Sequence, residues 1–291
     1  MKFKVAVAQT DAKVGDIDSN IRHHLEAIDR ARSNGAQVVV FPELSLTGYT
    51  LRDLAWEIAI DPFRDSRLDG LRKASRSISI AFGMVESAEN HGIYNSAVFL
   101  EDGGVRHIHR KIYPPTYGMF EEGRYFSKGD HVAAFTSKHG RLGMLVCEDL
   151  WHLSMPYLLA MDGAEVIFSL TASPSRIATR SVEMETARVN HEQHRAYARL
   201  LSSYVVFCNR VGYEDGVNFW GGSAVVGPGG EMVSTAKMFE EDIIAAEIDS
   251  LDVQRARRFS RHFLDEDVPF VKRSLDRISS SGGLRTSEDA S

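Results

Sequence analysis

The sequence predicts an α/β fold with a mixed sheet, and two patterns indicate it. In the first, residues 3–9 alternate in polarity, an amphipathic segment follows at 20–34, and an apolar run begins at residue 37. A connection of this kind joins two parallel strands and covers them with a helix. In the second, three strand patterns with short connections follow one another between residues 78 and 111, which favours antiparallel pairing.

The elements of the first half follow from the same patterns. Strands are expected at 3–9, 37–41, 78–86, 94–100 and 105–111, and helices at 20–34 and 61–77. Asp18 or Ser19 is the expected N-cap of the first helix, because short polar side chains accept hydrogen bonds from free first-turn N–H groups. Gly35 is expected to end that helix. The residues expected on the inner face of the second helix are Phe63, Leu68, Leu71 and Ala74.

A second layer is expected in the other half. Helices are expected at 151–161 and 179–201, and strands at 142–146, 166–170, 204–209, 224–226 and 243–248. His191 and His194 do not form the H-E-x-x-H zinc pattern, so we expect them on a solvated or interface face. His107 and His109 share one strand face and are expected to be structural. The domain is expected to span residues 1–278, with the polar segment 279–291 disordered.

Composition excludes several classes of partner. The 291 residues are 43% hydrophobic and carry a net charge of −6 with both signs interspersed, which argues against nucleic acid or an anionic membrane surface. We found neither an apolar run long enough to span a membrane nor a signal-peptide pattern, so a soluble, cytoplasmic protein is expected. Two cysteines are too few for a disulfide framework or a thiolate metal site.

Cys147 lies where a strand meets a helix. The apolar run 142–146 ends on Cys147, and Glu148 and Asp149 follow directly. At such a junction the free N–H groups can hold an oxyanion, and the positive helix end favours a thiolate over a thiol. Taken alone, a cysteine in this position is more often a small buried side chain that closes a strand, and only partners elsewhere in the chain favour a catalytic role.

Glu43 and Lys111 also lie at expected strand ends. Glu43 follows the run 37–41 and has apolar neighbours, which suits a general base working near neutral pH. Lys111 opens a loop with two prolines, two glycines and several aromatic residues, so its charge is expected to be fixed in place, where it could stabilise an oxyanion. Taken alone, each could be an ordinary loop or surface residue.

The three motifs together resemble the carbon–nitrogen hydrolase, or nitrilase, superfamily. They read F-P-E-L-S-L-T-G-Y, R-K-I-Y-P-P-T-Y-G-M-F-E-E-G-R-Y-F and G-M-L-V-C-E-D-L-W, in this order along the chain. The resemblance implies a four-layer α-β-β-α sandwich that assembles into homodimers or larger homo-oligomers. It also implies a catalytic set of Glu43, Lys111 and Cys147, with Glu122 as a supporting second glutamate.

Within the superfamily, the motifs are most similar to the glutaminase domain of glutamine-dependent NAD synthetase. That similarity implies that Tyr117 lines a glutamine pocket. Ser173 lies in a further loop expected near the substrate, and Arg176 or Arg180 could bind a substrate carboxylate. A separate synthetase that uses the released ammonia is a possible partner.

The expected activity is hydrolysis of a small linear amide, such as glutamine or an ω-amide, to a carboxylic acid and ammonia through a thioester. Glu43 would act as the base and Cys147 as the nucleophile, while Lys111 and the backbone N–H of Glu148 would hold the oxyanion. No metal or organic cofactor is expected. The alternatives are a nitrilase acting on a small nitrile, and an inactive interaction subunit of the same fold, whose buried thiol would react slowly with labelling reagents.

Overall fold

The computed structural model describes residues 1–175 and 184–282, and two six-stranded sheets form the centre of this part of the chain. The strands are β1 (Lys2–Gln9), β2 (Val38–Val40), β3 (Ser79–Ser87), β4 (Ile93–Glu101), β5 (Gly104–Arg110), β6 (Phe135–Ser137), β7 (Gly140–Val146), β8 (Val166–Thr171), β9 (Tyr204–Asn209), β10 (Val211–Glu214), β11 (Val217–Trp220), β12 (Ala224–Val226), β13 (Met232–Thr235) and β14 (Asp242–Asp249).

Helices cover both sheets. They are α1 (Ile17–Ser33), α2 (Leu54–Ile58), α3 (Asp69–Ala74), α4 (Glu122–Tyr125), α5 (Ser154–Met161), α6 (Glu185–Leu201), α7 (Ser250–Phe259) and α8 (Val268–Ser280). Short 3₁₀ helices occur at Ser66–Leu68, Cys147–Trp151 and Arg261–Phe263. No helix in the described ranges combines the length and the apolar character that crossing a membrane requires.

The first sheet has the strand order β14-β1-β2-β3-β4-β5. Strands β1, β2 and β3 run parallel, whereas β4, β5 and β14 pair antiparallel with their neighbours. The prediction of a parallel pair followed by a meander is therefore confirmed. The second sheet has the order β13-β12-β9-β8-β7-β6, with β7, β8 and β9 parallel.

The apolar side chains form three layers of core, which fix the order of the secondary-structure layers. Between the two sheets lie side chains from both, among them Val7, Phe99 and Phe168. A second cluster joins the first sheet to α1 and α3, and a third joins the second sheet to α5 and α6. This gives the order helix, sheet, sheet, helix, so the predicted four-layer sandwich is confirmed.

Two boundaries in the first half differ from the sequence prediction. Helix α1 begins at Ile17, and its N-cap is Asp16, whose carboxylate accepts from Ser19 N at 3.1 Å, not Asp18 or Ser19. The helix expected over 61–77 is shorter than predicted: a 3₁₀ turn covers Ser66–Leu68 and α3 covers Asp69–Ala74, with Leu68 and Leu71 buried as predicted. It starts late because the Asp61 carboxylate accepts from the N–H groups of Phe63 and Arg64 and forms a turn there. Phe63 is consequently 63% exposed.

The strands β10 and β11 form a hairpin that we did not predict. Asp215 and Gly216 connect them, and both have positive φ, 49° and 79°. An Asp-Gly pair between two short strands is a strong signal for such a tight turn. The sequence therefore contained the signal, although residues 217–223 resemble a glycine-rich loop.

His194 is buried, so its expected position on a solvated or interface face of α6 is wrong. Its ring is 2% exposed and packs on Phe207 with 4.3 Å between ring centroids. His191 is only half-buried, and its Nε2 lies 2.8 Å from the carbonyl oxygen of Gly222. The contact with the ring of Phe207 on β9 favours a buried position for the neutral imidazole ring of His194, in spite of its polar character.

Acid is expected to destabilise the protein through His24 and His194. Burial lowers the pKa of each to about 3, so both rings are neutral in the folded state. In the unfolded chain a histidine titrates near 6.5, so below that pH the unfolded state binds more protons. We expect the free energy of unfolding, measured by urea titration, to fall by about 1.4 kcal/mol per pH unit for each histidine below pH 6.5.

Variants H24Q and H194Q provide the control for this prediction. Each removes one titrating group, so each is expected to flatten the slope of stability against pH between 6.5 and 5. Wild-type stability that does not change over this interval would contradict the prediction, as would variants that keep the full slope.

The C-terminal part of the described chain is helical. Helix α8 continues to Ser280, and Asp267 caps its N-terminus by accepting from Phe270 N. Residues 283–291, most of the segment expected to be disordered, lie outside the described residues.

Candidate active site

Four strand ends form the site, and three of them carry the predicted residues Glu43, Lys111 and Cys147. Glu43 follows β2, Lys111 follows β5, Cys147 follows β7, and Ala172 follows β8. The two pairs of parallel strands β1–β2 and β7–β8 end there, which is where α/β folds usually place their chemistry.

Lys111 is the centre of a buried charged cluster. Its Nζ donates to Oε1 of Glu43 and to Oε1 of Glu122, each at 2.7 Å, and the residue is 1% exposed. Burial opposes its charge, but the two carboxylates outweigh this effect and raise the pKa of the lysine. The third hydrogen of the ammonium group has no acceptor within the described ranges, so it is available to a substrate oxygen.

Glu122 is the first residue of α4 and is buried. Its Oε1 accepts from Lys111 and from the hydroxyl group of Tyr49, and its Oε2 accepts from Asn95 Nδ2 at 3.3 Å. Burial raises the pKa of Glu122 to about 7, against the attraction of Lys111, and Glu43 adds to the rise. The carboxyl group therefore changes its protonation state close to neutral pH.

Glu43 accepts hydrogen bonds on both of its oxygens. Oε1 accepts from Asn95 Nδ2 and from Lys111 Nζ, each at 2.7 Å, and Oε2 accepts from Ala172 N at 2.9 Å. The residue is 1% exposed. Its carboxylate is thus held in one orientation by donors from three separate elements.

Cys147 has the positive φ of 45° and begins the 3₁₀ helix Cys147–Trp151. Its side chain is half-buried, and the N–H group of Ala172 that donates to Glu43 also interacts with the sulfur. Burial and the charge of Glu43 raise the pKa of the thiol, in spite of Lys111. The expected thiolate is therefore not favoured, because burial and the carboxylates outweigh Lys111, and the thiol needs a base.

Asp149 is a buried residue of the site that the sequence analysis did not identify. Its Oδ1 accepts from the N–H groups of Ile112 and Tyr113, each at 3.0 Å, and its Oδ2 lies 2.8 Å from His109 Nε2. The carboxylate thus ties the loop after Lys111 to the turn that holds the nucleophile. In sequence it resembles an ordinary first-turn acid, and only the fold reveals these partners. His109 is structural, as predicted.

A second buried network supports Tyr49. The carboxylate of Glu214 accepts from the N–H groups of Tyr49 and Thr50, and Arg210 pairs with Glu214. The guanidinium group of Arg210 also lies over the ring of Phe219, at 4.4 Å from its centroid. This network fixes the loop from which the Tyr49 hydroxyl group reaches Glu122.

A cavity of about 510 Å³ opens onto Cys147. Its lining comprises Tyr117, Phe120, Cys147, Glu148, Trp151, Ser173, Pro174, Glu185, Thr186, Val189 and Asn190. Tyr117 and Ser173, the predicted substrate residues, both line it, whereas Arg176 and Arg180 lie outside the described residues. The Tyr117 hydroxyl group donates to the Glu148 carboxylate at 2.9–3.0 Å. The wall beside the nucleophile is therefore acidic.

Relatives of known sequence share this domain. The glutamine-dependent NAD(+) synthetase of Thermotoga maritima is 31% identical over 255 residues, which are 85% of this chain and 42% of the relative. That of Acinetobacter baylyi is 31% identical over 247 residues, 85% of this chain and 44% of the relative. The chain thus spans less than half the length of these relatives.

Solved structures share the fold. The glutamine-dependent NAD+ synthetase from Acinetobacter baumannii superposes with a TM-score of 0.76 at 31% identity, covering 87% of this chain and 47% of that one. The carbon-nitrogen hydrolase from Helicobacter pylori G27 gives a TM-score of 0.79 at 24% identity, covering 94% and 99%. The family model described as carbon-nitrogen hydrolase matches residues 4–258. The chain therefore belongs to the carbon–nitrogen hydrolase family, and the prediction of an enzyme that hydrolyses C–N bonds is confirmed.

Proposed function

We propose that the protein hydrolyses the side-chain amide of glutamine, or of a closely similar ω-amide with a free amino group, to a carboxylic acid and ammonia. One observation carries this proposal: the half-buried Cys147 opens into a cavity whose adjacent wall is the Glu148 carboxylate. A carboxylate beside a reactive thiol suits a substrate that carries an ammonium group a few bonds from its amide. The names of the relatives, glutamine-dependent synthetases, support the same substrate.

In the first step, Glu43 takes the proton of the Cys147 thiol while the sulfur attacks the amide carbon. The carbonyl oxygen becomes an oxyanion, which accepts from the third hydrogen of Lys111 and from the backbone N–H of Glu148. Because the pKa of the thiol is raised, proton transfer and attack occur together, without a resting thiolate.

In the second step, Glu43 returns the proton to the nitrogen, and ammonia leaves with formation of a thioester. A water molecule then enters, Glu43 takes one of its protons, and the oxygen attacks the thioester carbon. The carboxylic acid leaves, and the sulfur recovers its proton. Glu122 supports Glu43 throughout, since both bind the same ammonium group of Lys111.

The names of the relatives indicate what could consume the released ammonia. The relatives are named as synthetases that depend on glutamine. We propose that the ammonia is passed to a separate synthetase. The expected homodimer or larger homo-oligomer and the cytoplasmic location stay predictions.

A screen for ammonia release tests the proposed substrate. The purified protein is incubated with glutamine, asparagine, ω-amides, carbamoyl amines and simple nitriles, and ammonia is measured by a coupled assay. We expect glutamine to give the highest kcat/KM. Hydrolysis of nitriles alone would support the nitrilase alternative, and no hydrolysis together with an unreactive Cys147 would support the inactive subunit.

Replacing Glu148 by glutamine tests how the substrate is recognised. The variant keeps the backbone N–H but loses the charge that faces the ammonium group, so KM for glutamine is expected to rise about 10- to 100-fold. Glutaramate is the matched substrate, because it is glutamine without the amino group, and its KM is expected to change little. Steady-state kinetics with both substrates measure the difference.

Glu185 provides the matched control for this substitution. It lines the same cavity on the first turn of α6 but is exposed, so E185Q is expected to change KM for glutamine by less than about threefold. Equal losses with glutamine and glutaramate in E148Q would show that Glu148 does not bind an ammonium group.

A further inference from the structure

Asn95 contacts every charged member of the buried cluster around Lys111. It lies on β4 and is 1% exposed. Its Nδ2 donates to Glu43 Oε1 at 2.7 Å and to Glu122 Oε2 at 3.3 Å, while its backbone carbonyl accepts from Lys111 N at 2.9 Å. One uncharged residue therefore joins the two glutamates and the lysine.

The other end of the same amide group has no partner. Asn95 Oδ1 is buried and accepts no hydrogen bond from any described residue. A buried carbonyl oxygen that accepts no hydrogen bond is unfavourable. Without another restraint, the side-chain amide of Asn95 would rotate so that its oxygen and its NH₂ group exchange positions. Turning it over would place Oδ1 against the Glu43 carboxylate, oxygen against oxygen. The orientation with a free oxygen is therefore held by the two acceptors of the NH₂ group, Glu43 at 2.7 Å and Glu122 at 3.3 Å.

The hydrogen bonds from Asn95 Nδ2 to Glu43 and to Glu122 differ in length, and this difference indicates different roles for the two glutamates. The bond to Glu43 is 0.6 Å shorter, from the 2.7 Å and 3.3 Å distances, and Glu43 receives a further backbone donor from Ala172. Glu122 instead receives the hydroxyl group of Tyr49. Lys111 lies at the same distance from both carboxyl groups, so it does not distinguish them. When the pair binds one proton, the shorter bond from Asn95 disfavours that proton on Glu43, because a protonated oxygen is a poorer acceptor.

We propose that Asn95 is a positioning residue that keeps the shared proton on Glu122 and leaves Glu43 free to accept the thiol proton. The inference rests on the proposed function, in which Glu43 is the base. It extends that function because it explains why Glu43 acts as the base and Glu122 does not, although both carboxyl groups bind the ammonium group of Lys111.

The test measures alkylation of Cys147 by iodoacetamide against pH, in the full chain and without any substrate. Cys208 is fully buried, and mass spectrometry separates the two sites. In N95D a third carboxyl group replaces the donor at nearly the same size, so the acidic inflection of the labelling rate is expected to move up by about one pH unit or more. The rate at pH 7 is then expected to fall about tenfold.

A second variant and a control complete the test. N95L removes the donor without adding a charge, and its inflection is expected to move upward by less than that of N95D. Ser96 is the control, because it is the next residue on β4, is buried, and donates to Glu86 at 2.6 Å on the opposite face of the strand. S96A is expected to lose stability and to keep the wild-type inflection.

An unchanged inflection in the folded Asn95 variants, with a loss of melting temperature like that of S96A, would overturn the inference and leave Asn95 a structural residue. Since labelling needs no substrate, the outcome is independent of the amide screen. A shifted inflection in a protein that releases no ammonia would instead refute the proposed function.

Discussion

Replacing Cys147 by alanine is expected to reduce kcat for amide hydrolysis by roughly 10⁴- to 10⁶-fold, which is the range for loss of a catalytic nucleophile. Without the sulfur no thioester can form, and the remaining groups can only bind the substrate and polarise its carbonyl. Ammonia release at saturating glutamine measures the loss. Hydrolysis retained within tenfold of the wild type would rule out Cys147 as the nucleophile.

The fold is expected to survive this change. Cys147 is half-buried, so truncation to alanine is expected to alter the free energy of unfolding by no more than about 1 kcal/mol. Cys208 is the control, since its sulfur lies 3.3 Å from the carbonyl oxygen of Val40 in the core between the sheets and does not line the cavity. C208A is expected to keep kcat while losing some stability, because it leaves a small void in the core.

The sequence predicted the strands of this fold better than its helices. Tyr204–Asn209 and Ala224–Val226 coincide with the expected strands, because central strands buried on both faces appear as short apolar runs between polar turns. The helix expected over 61–77 is present only from residue 66 to residue 74. The apolar pattern extends further at a helical period, but the Asp61 side chain forms a competing turn at its start.

The residues of the candidate site also fall into two groups, those that the sequence predicted and those that it did not. Glu43, Lys111 and Cys147 could be predicted, since each follows a recognisable strand and each carries a reactive group. Asn95 and Asp149 could not, because an amide within a strand and an acid at a helix start have ordinary structural explanations. Their roles depend on contacts between distant segments, such as the bond from Asn95 to a residue 52 positions earlier.

The protonation of the nucleophile was the least predictable property. The sequence places a helix end and a lysine near the thiol, and both favour a thiolate. The fold adds burial and two carboxylates, and these raise the pKa of Cys147 instead. The pKa of the thiol depends on its distances from these charged groups and on the access of water. A sequence motif contains neither kind of information.

Replacing Glu43 by glutamine is expected to give the second largest effect, a fall in kcat of roughly 10²- to 10⁴-fold. The side chain keeps its shape, but an amide cannot take the proton of a thiol with a raised pKa. Both oxygens of Glu43 accept hydrogen bonds, so the NH₂ group of the new glutamine must face a donor. The free energy of unfolding is therefore also expected to fall, by about 1–3 kcal/mol. Glutamine kinetics and urea unfolding measure the two effects.

The same substitution at Glu122 separates a base from a supporting residue. A glutamine there resembles the protonated form of Glu122, whose pKa is about 7, so E122Q is expected to lose no more than about tenfold in kcat and to lack the inflection that Glu122 gives near neutral pH. The two glutamates bind the same ammonium group at equal distances, so electrostatics alone would make their losses similar. A loss in E122Q as large as in E43Q would therefore mean that the carboxylates serve only to neutralise Lys111, and the base would have to be sought elsewhere.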